Sequence, residues 1–214
     1  MTLQEWHDTA DILIDKADAP YFNSTEKDKF FNLSQVEFTE TQYAQFKFNE
    51  KRRKELIPLV RVSTAIAGNI INIDSIADFL FILNLRGIFP DGCGGTKGER
   101  ISPISLDTEG EDDNDPFNSH TADNTNPGYT EYNNGINNII DIQSKDAPVS
   151  ISMKYLKKPR NVFLDTAVPA NTIQSEMPVG THEEIINIAV RKMLFTVQDQ
   201  LAYQLQTNEI KSQE

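Results

Sequence analysis

The chain of 214 residues contains few of the residues that build metal centres, disulfides or membrane spans. It has one cysteine, Cys93, which excludes an intrachain disulfide and a cysteine-based zinc site. Its three histidines, His7, His120 and His182, are widely separated, which argues against a multi-histidine metal centre. The longest apolar run, residues 79–83, is far shorter than the ~20 residues of a membrane-spanning helix. The first residues also lack the basic and apolar regions of a secretory signal, so we expect none.

Positive charge and apolar residues are also scarce. Lys and Arg number 20 against 32 Asp and Glu, which gives a formal net charge of −12. Broad binding to nucleic acid is therefore not expected, because the phosphates require Lys and Arg. With glycine counted in place of tyrosine, the apolar fraction is about 40%, below the roughly 45–50% of ordinary globular chains. This deficit predicts a modest core with long polar segments, or a subunit that completes its burial against partners.

The first 55 residues predict two helices and a basic turn. Thr2-x-x-Glu5 is the pattern of a capping box, and apolar residues then recur at steps of three and four up to residue 17. A second helix is expected from residue 24 or 25 to residue 48. It contains six aromatic residues, which is more than a single apolar stripe along a helix can hold. Such a helix is either buried on two sides or also in contact with a neighbouring subunit. The basic run 51–54 is interpreted as a solvated helix end that pairs with Glu50 and Glu55.

The strongest helical pattern lies near the C-terminus. Apolar residues from Ile186 to Leu205 form one stripe, and Thr181-x-x-Glu184 resembles a second capping box. We expect a helix over residues 182–206 and a flexible polar tail over residues 207–214. The terminal helices are expected to share one core, formed by Trp6, Phe30, Phe38, Tyr43, Ile186, Val190, Met193 and Val197.

The middle of the chain, residues 60–165, is expected to be a β-rich insertion. Alternating or β-branched runs predict strands near residues 60–66, 70–73, 81–89, 101–106, 136–142 and 149–156. Residues 90–135 form an acidic, asparagine-rich loop with some strand content, since eight of the chain's 18 Asn lie between residues 114 and 138. The predicted fold class is α+β. It consists of a helical bundle, from the N-terminal helices and the long C-terminal helix, with an inserted antiparallel β region in a single domain over residues 1–206.

No catalytic or cofactor motif is present in the sequence. In the segment 92–98, Lys97 stands at the wrong position for a phosphate-binding loop. Counted from Asp107, the acidic run lacks the glycine and glutamate of a helix–loop–helix calcium site. A looser calcium or ligand site on the Asn and Asp oxygens of this loop is the alternative function. His182 is interpreted as a capping or surface residue, and Cys93 as an incidental thiol. We therefore expect neither an enzyme nor a bound cofactor or metal.

Seven short segments, spread over most of the chain, carry a resemblance to a known family. The most specific begins Met177-Pro178-x-x-Thr181-His182-Glu183-Glu184 and extends to residue 191; the others are residues 32–38, 56–60, 77–80, 115–118, 126–129 and 153–159. Together they resemble the head-to-tail connector proteins of tailed bacteriophages, the adaptor or ring proteins beneath the portal, with crAss-like phages closest. The glycine loop around Cys93 and the acidic run depart from this pattern.

The resemblance implies a structural virion protein at the head-to-tail interface, assembled in the cytoplasm of the bacterial host. It implies a homo-oligomeric ring, commonly twelvefold, that binds the portal protein and adjacent ring or tail proteins. Genomic DNA would pass through the ring during ejection, and no membrane would be contacted. An acidic lumen would suit this passage, because weak repulsion keeps DNA from sticking. The candidate interface residues are Phe117, Tyr129, Tyr132, Leu201, Leu205 and Ile210.

Overall fold

The computed structural model describes residues 1–15, 22–66, 68–91, 93–105, 119–121 and 126–211, with their side chains except those of residues 64–66 and 198–211. The chain divides into two compact units. The helical unit comprises Met1–Leu59 and Pro159–Glu214, and the sheet unit comprises Val60–Lys158.

The helical unit contains α1 (Leu3–Asp15), α2 (Ser24–Tyr43), α3 (Glu50–Leu56) and α4 (His182–Lys211). The predicted capping box of α1 is confirmed, since the Thr2 N–H donates to Glu5 Oε2 at 2.7 Å and the Glu5 N–H to Thr2 Oγ1 at 3.3 Å. The second predicted box is wrong. The Thr181 hydroxyl donates to the Pro178 carbonyl at 2.8 Å, and residues 179–181 form a short 3-10 turn before α4.

The core of the helical unit lies among α1, α2 and α4. Trp6 makes edge-to-face contacts with Phe31, at 5.4 Å between ring centroids, and with His182, at 4.9 Å. Phe31, rather than the predicted Phe30, is fully buried, and Phe30, Tyr43 and Val197 are partly exposed. The other five predicted core residues are confirmed as buried: Trp6, Phe38, Ile186, Val190 and Met193.

Histidine 182 is buried, so the prediction of a surface or capping role is wrong. Its Nε2 lies 2.8 Å from the Met177 carbonyl oxygen, and its ring packs against Trp6. Burial, the largest cause, lowers the pKa of His182 below its ordinary value, because an imidazolium is disfavoured where water is excluded. The ring therefore acts as a neutral core side chain.

An acid at the start of α2 connects three segments of the helical unit. One carboxylate oxygen of Asp28 lies 2.8 Å from His7 Nε2 on α1, and the other accepts the Leu164 N–H at 3.0 Å. Beside it, the buried Lys27 ammonium contacts the Asp11 carboxylate at 2.7 Å. Buried polar groups are stable only when they are paired in this way. Asp28 thus holds α1 and the segment before α4 against α2.

The sheet unit contains seven strands in one sheet. Along the chain they are β1 (Val60–Ile66), β2 (Ile70–Asn72), β3 (Phe79–Pro90), β4 (Thr96–Pro103), β5 (Gly128–Asn133), β6 (Asn138–Gln143) and β7 (Ser150–Lys157). Their order across the sheet is β1-β7-β3-β4-β5-β6-β2. All neighbouring pairs are antiparallel except β4 and β5, which are parallel.

The chain connectivity forces this sheet to curl. Strands β1 and β2 lie at opposite edges, yet only residues 67–69 separate them in sequence. The edges of a flat seven-stranded sheet would lie about 29 Å apart at ~4.8 Å per strand. The four Cα steps from Ile66 to Ile70 reach only about 14 Å. The edges must therefore approach each other, which encloses a core that includes Leu85, Phe89 and Ile140.

The predicted fold class is wrong. The structure is a mixed α/β protein with 40% helix and a curled seven-stranded sheet that holds 29% of the residues, not a helical bundle with a small antiparallel insertion. Three strands begin outside the predicted strands: β3 two residues before the predicted strand 81–89, β4 inside the glycine-rich segment 92–98, and β5 in the asparagine-rich loop. β3 also pairs with β7, and β4 with β5, which are remote in sequence, and local periodicity does not report such pairing.

Removing the Asp28 carboxylate tests its role in the helical unit. Asp28→Ala leaves His7 and the Leu164 N–H without their buried partner, and we expect the free energy of unfolding to fall by about 3–5 kcal/mol. The measurement is guanidinium denaturation followed by the fluorescence of Trp6, the chain's single tryptophan. As control, Asp8→Ala removes an exposed acid of α1 that accepts a hydrogen bond from Gln4, and should change the unfolding free energy by less than about 0.5 kcal/mol. Equal effects of the two substitutions would contradict the assignment.

Candidate functional site

A cleft of about 500 Å³ opens at one end of the curled sheet. It lies where β2, β5 and β7 end and where β3 and β6 begin. Its apolar floor is formed by Ile73, Ile76 and Phe79, which also pack against the buried core of the sheet. This volume is within the roughly 300–1,000 Å³ of small-ligand pockets, which are common in the mouths of closed sheets.

One wall of the cleft is an asparagine-rich turn between β5 and β6. The carboxylate of Asp74 accepts the Asn138 N–H at 2.8 Å and its side-chain amide at 3.0 Å. These hydrogen bonds, the side-chain one first, lower the pKa of Asp74. The Asn134 side chain accepts the N–H groups of residues 136 and 137, and Gly135 adopts a φ of +89° that favours glycine. The turn is therefore held in one conformation by its own side chains.

Glu131 occupies an unusual position in the wall. In the register of β5 and β6, Tyr129 stands opposite Ile142 and Glu131 opposite Ile140. Residues opposite each other point to the same face of a sheet, and Tyr129, Ile140 and Ile142 all belong to the buried core. Glu131 therefore continues the inward row at the open end, where an apolar residue would complete the core.

The carboxylate of Glu131 has no hydrogen-bond or ion-pair partner among the described residues. The side chain reaches solvent through the cleft, but burial of the carboxyl group raises its pKa above the ordinary value. The cause of this shift is burial, which disfavours the charged carboxylate.

A cation lines the same cleft. The Lys158 N–H donates to the Asp78 carbonyl at 2.7 Å, which fixes the backbone just beyond β7, and its side chain is exposed. No carboxylate of the described residues lies within 4.0 Å of its ammonium group. The cleft thus offers an anion and a cation that are not paired with each other, above an apolar floor. This arrangement suits a ligand that has both charged and apolar parts.

Two large apolar side chains are almost fully exposed at turns. Phe48, in the turn between α2 and α3 of the helical unit, is 90% exposed. Ile136, at the tip of the asparagine-rich turn of the sheet unit, is 85% exposed. Scattered exposed apolar residues are normal, and these two side chains are available to pack against a partner.

The predicted interface residues fall in different environments. Tyr132 lines the cleft, and its hydroxyl donates to Asp141 Oδ2 at 3.4 Å. Tyr129 is buried in the core of the sheet unit. Phe117 lies outside the described residues. Leu201, Leu205 and Ile210 lie on the described backbone of α4, but their side chains are outside the described set.

Most of the acidic loop proposed as a calcium site also lies outside the described residues, in the ranges 106–118 and 122–125. Across the described part of the chain, no group of three or more His, Cys, Asp or Glu side chains is placed to hold a metal ion. None of the helices within the described ranges combines the length and the apolar character needed to cross a membrane.

The basic run at the start of α3 is confirmed as a helix segment with internal pairing. Lys54 contacts Glu50 at 3.0 Å, and Arg52 contacts Glu55 at 3.1 Å. Arg52 also reaches Glu184 on α4 at 3.4 Å. These pairs engage part of the positive charge that a phosphate contact would require.

Sequence patterns alone do not identify Glu131 as a site residue. The alternation of Tyr129 and Glu131 in β5 is visible in the sequence, but which face is buried depends on pairing with β6.

No protein-family model matches the chain, and no curated protein matches it significantly.

Neutralising Glu131 tests whether its carboxylate destabilises the folded sheet unit. Because the folded state raises the pKa of Glu131, ionisation opposes folding above that pKa and has no effect below the unfolded value near 4.5. We expect Glu131→Gln to increase hydrogen-exchange protection of the β5 and β6 amides at pH 7 and to lose this advantage near pH 4. As control, Glu99→Gln changes a carboxylate that contacts Lys97 at 3.7 Å, and should give no such gain. A gain of equal size at both pH values would contradict the interpretation.

Proposed function

We propose that the chain is a structural subunit of a phage head-to-tail connector, which assembles into a ring with copies of itself and binds the portal protein. Its place is the head-to-tail interface of the virion, and its assembly takes place in the host cytoplasm. The role requires no catalysis. Two lines support it: the resemblance of seven sequence segments, and the exposed apolar side chains of Phe48 and Ile136.

The observation that carries the proposal is the solvent exposure of the Ile136 side chain at the tip of a turn. Ile136 is 85% exposed, so its side chain is available to pack against a partner. Here the turn is held by Asp74 and by the Asn134 side chain, so ordering it on binding costs little conformational entropy. A rigid turn that displays an apolar tip is the form expected of an assembly contact.

Two further properties fit a ring subunit. Helix α4 spans 30 residues, about 45 Å at 1.5 Å per residue, which is long enough for contacts beyond its own core. Phe195 on this helix is also exposed, past the last described core residue, Met193. The net charge of −12 would keep DNA from adhering to a channel wall.

Native mass spectrometry of the purified chain, alone and with the portal protein of the same phage, tests the proposal. We expect either a ring or portal-dependent binding of a defined number of copies. Phe48→Ser and Ile136→Ser should each weaken assembly, because an apolar anchor is lost, while the fold stays intact since both residues are exposed.

Ile12→Ser is the matched control, since Ile12 is an exposed apolar residue on α1 rather than at a turn. It should leave assembly unchanged. A strictly monomeric chain that does not respond to the portal would contradict portal docking. Equal loss in all three variants would show that Phe48 and Ile136 are not specific contacts.

A further inference from the structure

We infer that the cleft of the sheet unit binds a lysine-type alkylammonium group of a peptide, with Glu131 as its anionic partner and Lys158 as the contact for an adjacent carboxylate. This ligand class goes beyond the connector role and does not depend on it. The inference rests on the register of β5, the unpaired charges of the cleft and its apolar floor.

The first argument is the position of Glu131. Glu131 continues a buried row opposite the fully buried Ile140; its side chain is exposed at the mouth of the cleft, but its carboxyl group is partly desolvated and has no compensating partner among the described residues. Desolvated charges in proteins are normally paired, because the loss of hydration is otherwise uncompensated. A cation from outside the chain would restore the missing interaction, and its binding would lower the raised pKa of Glu131.

The second argument is the floor of the cleft. Ile73, Ile76 and Phe79 present apolar surface beside the carboxylate. The four methylene groups of a lysine side chain can lie against such a surface while the ammonium group reaches the anion. The aromatic rings of Phe79 and Tyr132 line the same space, and ammonium groups also interact favourably with aromatic faces.

The third argument excludes a simple metal ion as the preferred occupant. Hard divalent cations require six or more oxygen ligands, and the second carboxylate of the cleft, Asp74, already accepts two hydrogen bonds from Asn138. The Lys158 ammonium would repel a divalent ion. The same group favours a ligand that carries a carboxylate next to its ammonium, such as a peptide with adjacent lysine and glutamate.

The last argument is preorganisation. The turn that carries Asn133 and Asn138 is fixed by Asp74 and by hydrogen bonds between its own side chains, with Asn133 Nδ2 3.0 Å from Asn138 Oδ1. On the other side, Phe79 stacks on Tyr155 at 5.8 Å between centroids. A cleft with rigid walls loses little entropy when a ligand enters.

The experiment is a titration of the full chain, followed by the amide NMR shifts of residues 131–139. The probe is the peptide acetyl-Gly-Lys-Glu-Gly-amide, and two matched probes carry Nε-acetyllysine or replace Glu by Gln. We expect a dissociation constant on the order of a millimolar for the first peptide. Glu131→Gln and acetylation of the probe should each raise it about tenfold or more, because a charge-assisted contact is lost.

Lys158→Gln should weaken binding of the glutamate-bearing peptide more than binding of the glutamine-bearing peptide. A purely structural role of Lys158 would not produce this difference. Glu99→Gln is the control and should leave both affinities unchanged. Acidification should weaken peptide binding as Glu131 becomes protonated. Asp74, Asp141 and Lys158 are the other titratable groups near Glu131. The Glu131→Gln variant should therefore remove the pH dependence that is due to Glu131.

The inference is overturned if the acetylated probe binds as well as the free lysine probe, or if Glu131→Gln binds the first peptide with unchanged affinity. It is also overturned if none of the amide chemical shifts of residues 131–139 reaches a plateau as peptide is added. Glu131→Gln keeps the shape of the side chain, so we expect the fold to be retained. The amide spectrum of the free variant shows directly whether the fold is intact. The connector proposal is tested separately, by assembly with the portal.

Discussion

The three-residue link between β1 and β2 is the constraint on which the sheet unit depends. The two strands lie at opposite edges of a seven-stranded sheet, yet the chain between them reaches only about half the width of a flat sheet. The sheet has to curl until its edges approach. Curling gives the sheet an inside, so that residues of β2 to β7 meet in a common core.

The cleft follows from the same constraint. A curled sheet has an open end, and in this unit the ends of β2, β5 and β7 surround it. The inward row of β5 continues past the core to Glu131, which places a carboxylate where the enclosed space begins to admit water. Asp74 then fixes the opposing turn through Asn138. A charged cleft with rigid walls is therefore a product of strand register and hairpin chemistry together.

The helical unit is held in a different way. Its second helix buries polar side chains, among them Lys27 and Asp28, as well as aromatic ones. The aromatic content of this segment predicts a helix that is buried on two sides or in contact with a neighbouring subunit, but it does not predict buried polar residues. Their partners, His7 and Asp11 on α1 and the Leu164 N–H, lie in two other parts of the chain. Pairing between distant segments cannot be inferred from a composition or a period.

The sequence by itself determined the local features: the start of α1 through its capping box, the long C-terminal helix, several strands of the middle region and the pairing within the basic run of α3. These depend on neighbours three or four residues apart, or on alternation within one segment. Only the tertiary structure decided that the strands form one curled sheet, that His182 is buried, and that Glu131 faces a cleft. Each of these depends on contacts between segments that are distant in sequence, and strand register in particular decides which of two faces a side chain occupies.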